Sequence, residues 1–132
     1  MDPRGRGALA GAVAAVLWAA ANPLARRAFG TPYSDVELLG GGPAGFALHT
    51  ANGAGFGYLF VKLGGRGVRD GIAAAVVENA LLWPGMFVVD RMHPRRRDGT
   101  WPPLARNPRV FAQATAGHAL YGALLGMLGS RR

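Results

Sequence analysis

Four stretches of the chain are almost free of charge: Ala8–Ala25, Pro43–Val61, Gly71–Val89 and Val110–Leu128, of 18, 19, 19 and 19 residues. The charged residues collect between them, at Arg4–Arg6, Arg26–Arg27, Lys62–Asp70, Asp90–Arg109 and Arg131–Arg132. At ~1.5 Å per residue each stretch measures roughly 28 Å as a helix, close to the ~30 Å hydrocarbon core of a bilayer. A soluble helix carries a polar stripe on its outer face. None of the four shows one, and Ala8–Ala21 has no polar side chain at all. The pattern predicts an all-α fold: a four-helix transmembrane bundle in one integral membrane domain over residues 1–132, with helices at about 8–25, 43–61, 71–89 and 110–128. Two other readings compete. One is a soluble bundle rich in glycine and alanine. The other makes the first segment a secretory signal, with Arg4 and Arg6 before the apolar run and Ala19-Ala20-Ala21 as a small-residue cleavage site.

The punctuation between the stretches predicts the connections. Gly30-Thr31-Pro32 and Gly40-Gly41-Gly42-Pro43 are turn sequences in the first loop, and Ser34-Asp35-Val36-Glu37 can cap a short helical turn. Gly64-Gly65-Arg66-Gly67 is a tight link that predicts the second and third helices as antiparallel neighbours. The third loop, His93 to Pro108, holds four prolines and cannot be helical throughout. Pro84 predicts a kink near Ala80. Trp18, Trp83 and Trp101 are candidates for the headgroup level, and Arg95, Arg96 and Arg97 for contact with lipid phosphates.

Composition sharpens this picture. Half the chain is apolar and 17% is charged, against about 25% in an average soluble domain. Glycine and alanine make up about a third of the residues, and there is no cysteine. Disulfides, thiolate metal sites and cysteine nucleophiles are therefore excluded. The mean hydropathy, +0.14, is low for a membrane chain because arginine-rich loops and small residues replace leucine. The net charge of +8 comes from 15 basic and 7 acidic residues. A nucleic-acid partner is not expected, because the basic residues sit in the loops rather than along one face. The expected partners are the lipid bilayer and a homo-oligomer or larger membrane complex. Four crossings put both termini on one side, with 7 basic residues there and 8 on the other. So even a split gives the positive-inside rule no purchase; the acidic residues on the other side favour cytoplasmic termini.

Two of the stretches share a motif. His49-Thr-Ala-Asn-Gly53-Ala54-Gly-Phe-Gly57 and His118-Ala-Leu-Tyr-Gly122-Ala123-Leu-Leu-Gly126 both read H-x-x-x-G-A-x-x-G, 69 residues apart. With a looser match of Trp18 to Trp83 and Arg26 to Arg91, this predicts two tandem two-helix repeats related by a pseudo-twofold axis along the membrane normal. Gly45, Gly53 and Gly57 on the second helix, and Gly122 and Gly126 on the fourth, form stripes of small residues that let helices pack closely. His49 and His118 lie on those stripes, and the third helix brings Glu78 to within roughly 8 Å of the same depth. Asn52, Asn79 and Tyr121 complete a predicted buried polar cluster. Ionisable groups at such depth cost about 2.5–3.5 kcal/mol each, so they should face inward and partner one another.

Three functions fit that cluster. His49 and His118 could bind haem, or with Glu78 hold a transition metal. His49, Glu78 and His118 could instead form a proton or ion path. The histidines could also serve only to tie glycine-faced helices together, in an accessory or packing subunit of a membrane complex. An enzyme is not expected: no nucleophile–base pair or paired-carboxylate site is visible, and the glycine-rich turns lack the strand–helix context of a phosphate loop.

The order His49…Gly53…Gly57-Tyr58, then Gly71…Pro84-Gly85, then Gly117-His118 resembles the YagU-like family of small, uncharacterised bacterial inner-membrane proteins, over about residues 44–125. The resemblance implies a helical fold in the bacterial inner membrane and no established chemistry. Family members can carry a further histidine before the proline and an acidic residue four positions before the Gly-His histidine. Asn79 and Ala114 stand at those places here, which removes two ligands of any inherited multi-histidine site.

Overall fold

The structure is a computed structural model that describes residues 1–130; Arg131 and Arg132, counted above on the terminal side, lie outside the described residues. It is all-helical, with no strand among the described residues. The elements are α1 (Pro3–Phe29), α2 (Asp35–Leu38), α3 (Gly42–Lys62), α4 (Gly67–Leu82), a 3-10 turn (Trp83–Gly85), α5 (Met86–Met92), α6 (Pro94–Arg97) and α7 (Pro108–Gly129). Each charge-free stretch lies inside one long helical segment.

Local chemistry sets the ends. Asp2 caps α1 by accepting from the Arg4 and Gly5 amides, and Pro3 occupies the first turn, where its missing N–H costs nothing. Gly30, at φ +65°, closes the helix in the left-handed conformation. Ser34 caps α2 and Asn107 caps α7 in the same manner as Asp2. Pro84 does not kink the helix near Ala80. The chain tightens into the 3-10 turn at Trp83–Gly85 and resumes as α5, which absorbs the missing donor at the proline itself.

Two helices, α1 and the run Gly67–Met92, are long and apolar enough to cross a membrane. The helices α3 and α7, at 21 and 22 residues, have the length; their glycine, histidine, asparagine and glutamine content dilutes the apolar side chains.

Packing follows the small residues. α1 packs on α3, α4 on α7, and α1 on α7. The outer helices α3 and α4 barely touch, so the tight Gly64-Gly65 link does not make them packed neighbours as its length suggested. Each has its glycine face turned to a different partner. A Cβ on Gly7 or Gly11 would fall under 3.0 Å from the carbonyl oxygen of Gly57 or Gly53, and one on Gly71 would meet that of Gly122. Gly126 meets Gly67 in the same way. Gly45 packs against the Val36 carbonyl of the α2 turn instead of against a helix. The large apolar side chains point outward: Leu24, Leu48, Leu59, Val77, Leu81 and Val88 are all exposed, Leu81 at 74%.

A second core closes one end of the molecule. Tyr33, Trp101, Leu104, Val110 and Ala114 are buried together, so Trp101, at 1% exposure, is a core residue and not a headgroup anchor. Asp90 organises the third loop, accepting from Arg96 Nε at 2.9 Å and from the Leu104 and Ala105 amides at 2.8 and 3.0 Å. His93 stacks on Trp101 with centroids 4.6 Å apart. Its Nδ1 accepts from the Arg95 amide, so Nε2–H donates to the Glu37 carbonyl, at 3.0 Å.

Candidate functional site

A cavity of about 150 Å³ opens where α1, α3, α4 and α7 approach one another. His49, Asn52, Glu78, Asn79, His118 and Tyr121 all line it. The histidines are held by backbone. His49, buried, donates from Nε2 to the Ala15 carbonyl across the α1–α3 contact at 2.9 Å, and His118 donates from Nδ1 to the Ala114 carbonyl one turn back, at 2.7 Å. Tyr121 donates to the Gly53 carbonyl at 2.6 Å, and Asn79 to Thr115 Oγ1 at 3.1 Å. Asn52 lines the cavity but is exposed on α3 rather than buried. Glu78 is half-buried and has no hydrogen-bond or ion-pair partner among the described residues. The expected partnering of Glu78 with the imidazoles is therefore absent, because each histidine has satisfied itself on a carbonyl.

Trp18 is the residue that joins the histidines. Its ring meets His49 edge-on at 4.9 Å and His118 at 4.8 Å between centroids, and lies 6.0 Å from Tyr121. Gly117 makes room for it, since a Cβ there would fall under 3.0 Å from the indole nitrogen. Trp18 thus sits in the interior rather than among headgroups. The spacing Gly7, Gly11, Ala15, Trp18 carries the signal for this: all four fall on one helical face. Tyr33 and Asp35 also line the cavity from the first loop. Tyr33 donates to Asp35 Oδ1 at 3.0 Å, and burial pushes the Asp35 carboxyl up to about 6, the Tyr33 hydrogen bond opposing that shift only in part.

The site does not fit haem. Trp18 stands against both imidazoles, where a flat macrocycle would have to lie. Nor does it form a metal centre: no group of three histidine, aspartate or glutamate side chains suited to an ion occurs among the described residues.

The cavity continues sideways. A second, apolar space of about 660 Å³, an open groove rather than an enclosed cavity, lies between α3 and α4, and Phe56, Glu78 and Leu82 line both. Its walls run to Leu63, Gly64 and Asp70 at the terminal end, while the first cavity reaches Asp35 and Leu39 at the loop end. The two together follow the α3–α4 gap from one end of the molecule to the other, with Glu78 where they meet. Of the three arginines placed at the headgroups, Arg95 pairs with Glu37 at 3.6 Å and Arg96 with Asp90 at 2.9 Å. Arg97 is exposed.

No family model, curated protein or solved structure matches the chain.

Proposed function

We propose that the chain is a four-span integral membrane protein of the bacterial inner membrane, in which Glu78 exchanges a proton or small cation along the cleft between two related helix pairs. The observation that carries this reading is the placing of an unpaired carboxyl where two cavities meet. An ionisable side chain among apolar helices is expensive and belongs to a pathway by default.

The membrane location rests on an inverted distribution of side chains. Glycine and alanine fill the closest helix contacts, while Leu9, Leu48, Leu59, Val77, Leu81 and Val88 face out. Water would drive the large apolar side chains inward, whereas lipid leaves packing of small residues as the main force between helices. The relation between the pairs is supported by Gly7-Gly11-Ala15 and Gly67-Gly71-Ala75, each crossing a Gly-x-x-x-Gly of its partner. In that register Trp18 takes the place of Glu78, not of Trp83. Membership in the YagU-like family is part of the same proposal. The exposed apolar faces of α3 and α4 suit lipid or a second subunit.

The test is proton flux into proteoliposomes under a pH gradient. The wild-type protein is expected to dissipate the gradient faster than empty vesicles, and Glu78→Gln to abolish the excess. Wild-type vesicles as tight as empty ones would refute it.

A further inference from the structure

The linings of the two cavities are selective in charge. Asp35, Asp70 and Glu78 contribute three of the seven acidic residues of the chain, and none of its fifteen basic residues lines either cavity among those described. In a protein of net charge +8 this is an inversion confined to the cleft. The first cavity also has aromatic walls, from Trp18, Tyr33, Phe56, Trp83 and Tyr121. Aromatic faces beside a carboxylate are the chemistry that recognises ammonium cations, most strongly once water is removed. The adjoining cleft is apolar, from Phe60 and Leu63 to Val77 and Leu81, and large enough for a tail.

We infer that the cleft binds an amphipathic organic ammonium ion, its head in the aromatic cavity between Glu78 and Asp35 and its tail between α3 and α4. This rests on the exchange reading above and names the cation that competes with the proton for Glu78. Entry is sideways from the bilayer, because α3 and α4 leave that side open. A cation of this kind concentrates in the lipid before it binds.

The experiment is isothermal titration of the full chain in neutral maltoside micelles with octyltrimethylammonium, octyl sulfate and octanol. Saturable one-to-one binding of the ammonium alone is expected, with affinity falling at least tenfold in Glu78→Gln and severalfold in Asp35→Asn. The second variant lies in the first loop, outside the spans, and keeps the test open if the first does not fold. Equal binding of octyl sulfate or octanol, or ammonium binding unchanged in both variants, overturns the inference. Proton flux that persists without ammonium binding overturns this inference alone; ammonium binding without flux overturns the exchange reading and leaves the site standing.

Discussion

Alanine at Gly11 or Gly71 should loosen the molecule, while alanine at Gly55 should not. A Cβ on Gly11 would sit under 3.0 Å from the Gly53 carbonyl oxygen, and one on Gly71 equally close to that of Gly122. Both obstacles are backbone of a facing helix, which cannot swing aside as a long side chain can. The helices must therefore part along the whole crossing, and overpacking of this kind costs typically ~1–3 kcal/mol. Separation at Gly11 also threatens the Tyr121 bond to Gly53 and the His49 bond to Ala15, both of which end on α3. Against this stands the helix preference of alanine over glycine, about 0.5–1 kcal/mol. The net expectation is ~1–2 kcal/mol of destabilisation at Gly11 and at Gly71. Gly55, on the exposed side of α3, has nothing within 4 Å of its added Cβ. Gly55→Ala keeps only the helix preference and should be neutral or slightly stabilising. Unfolding in mixed maltoside and dodecyl sulfate micelles, followed by tryptophan fluorescence, measures all three. Equal midpoints for Gly55→Ala, Gly11→Ala and Gly71→Ala would refute the claim that glycine contacts hold the pairs together.

Two further outcomes follow from the loop end. The Asp35 carboxyl titrates at about 6 in the folded protein, above its ordinary value of 3.8, so the folded state binds more protons than the unfolded one between those values. Stability should fall as pH rises from about 4 to about 6, by up to ~3 kcal/mol, then level off; Asp35→Asn should flatten that slope in a pH series of unfolding midpoints. Asp90→Ala removes the acceptor for Arg96, Leu104 and Ala105 together, and with charged hydrogen bonds at ~1.5–3 kcal/mol it should free the third loop. Trypsin should then cut at Arg96 and Arg97 several times faster, with cleavage elsewhere unchanged; an unaltered digestion pattern would count against Asp90 as the loop's organiser.

The helices were legible because charge and its absence divide the chain at membrane-sized intervals. The buried face of α3 was legible as well: Gly45, His49, Gly53 and Gly57 follow one another at i, i+4, and all four are buried. The choice of partners was not. A stripe of small residues says that some helix approaches, and the short Gly64-Gly65 link pointed to the wrong one. Connection length limits how far apart two helix ends lie, yet it says nothing of the angle at which the helices leave. The tryptophans are ambiguous for a related reason: indole is amphipathic, so Trp18 and Trp101 read as interfacial until their packing is seen. The place of Asp35 and Tyr33 at the cavity leaves no signal, because a loop folding back over a helix end has no periodicity in the sequence. Glu78 lines the same cavity as the two histidines, but a pairing argument does not foresee that each imidazole finds a backbone carbonyl first.

The cleft itself is a consequence of how the small residues are distributed. Each long helix has one glycine or alanine stripe, and those of α3 and α4 are used against α1 and α7. What remains to face the gap is Phe56, Leu59, Phe60 and Leu63 on one side and Val77, Leu81 and Leu82 on the other. Side chains of that size hold the backbones apart without filling the space between them. The gap is an open groove rather than a sealed void, and Leu59, Leu63, Val77, Leu81 and Leu82 along it are exposed. An apolar body that covers these side chains removes their surface from water. In a bilayer the acyl chains do so by default, and any ligand enters by exchanging with them. The apolar part of such an exchange is nearly neutral in energy, which leaves the polar end of the cleft to choose. Under the proposed exchange that choice would fall to Glu78, the carboxyl that lines both spaces.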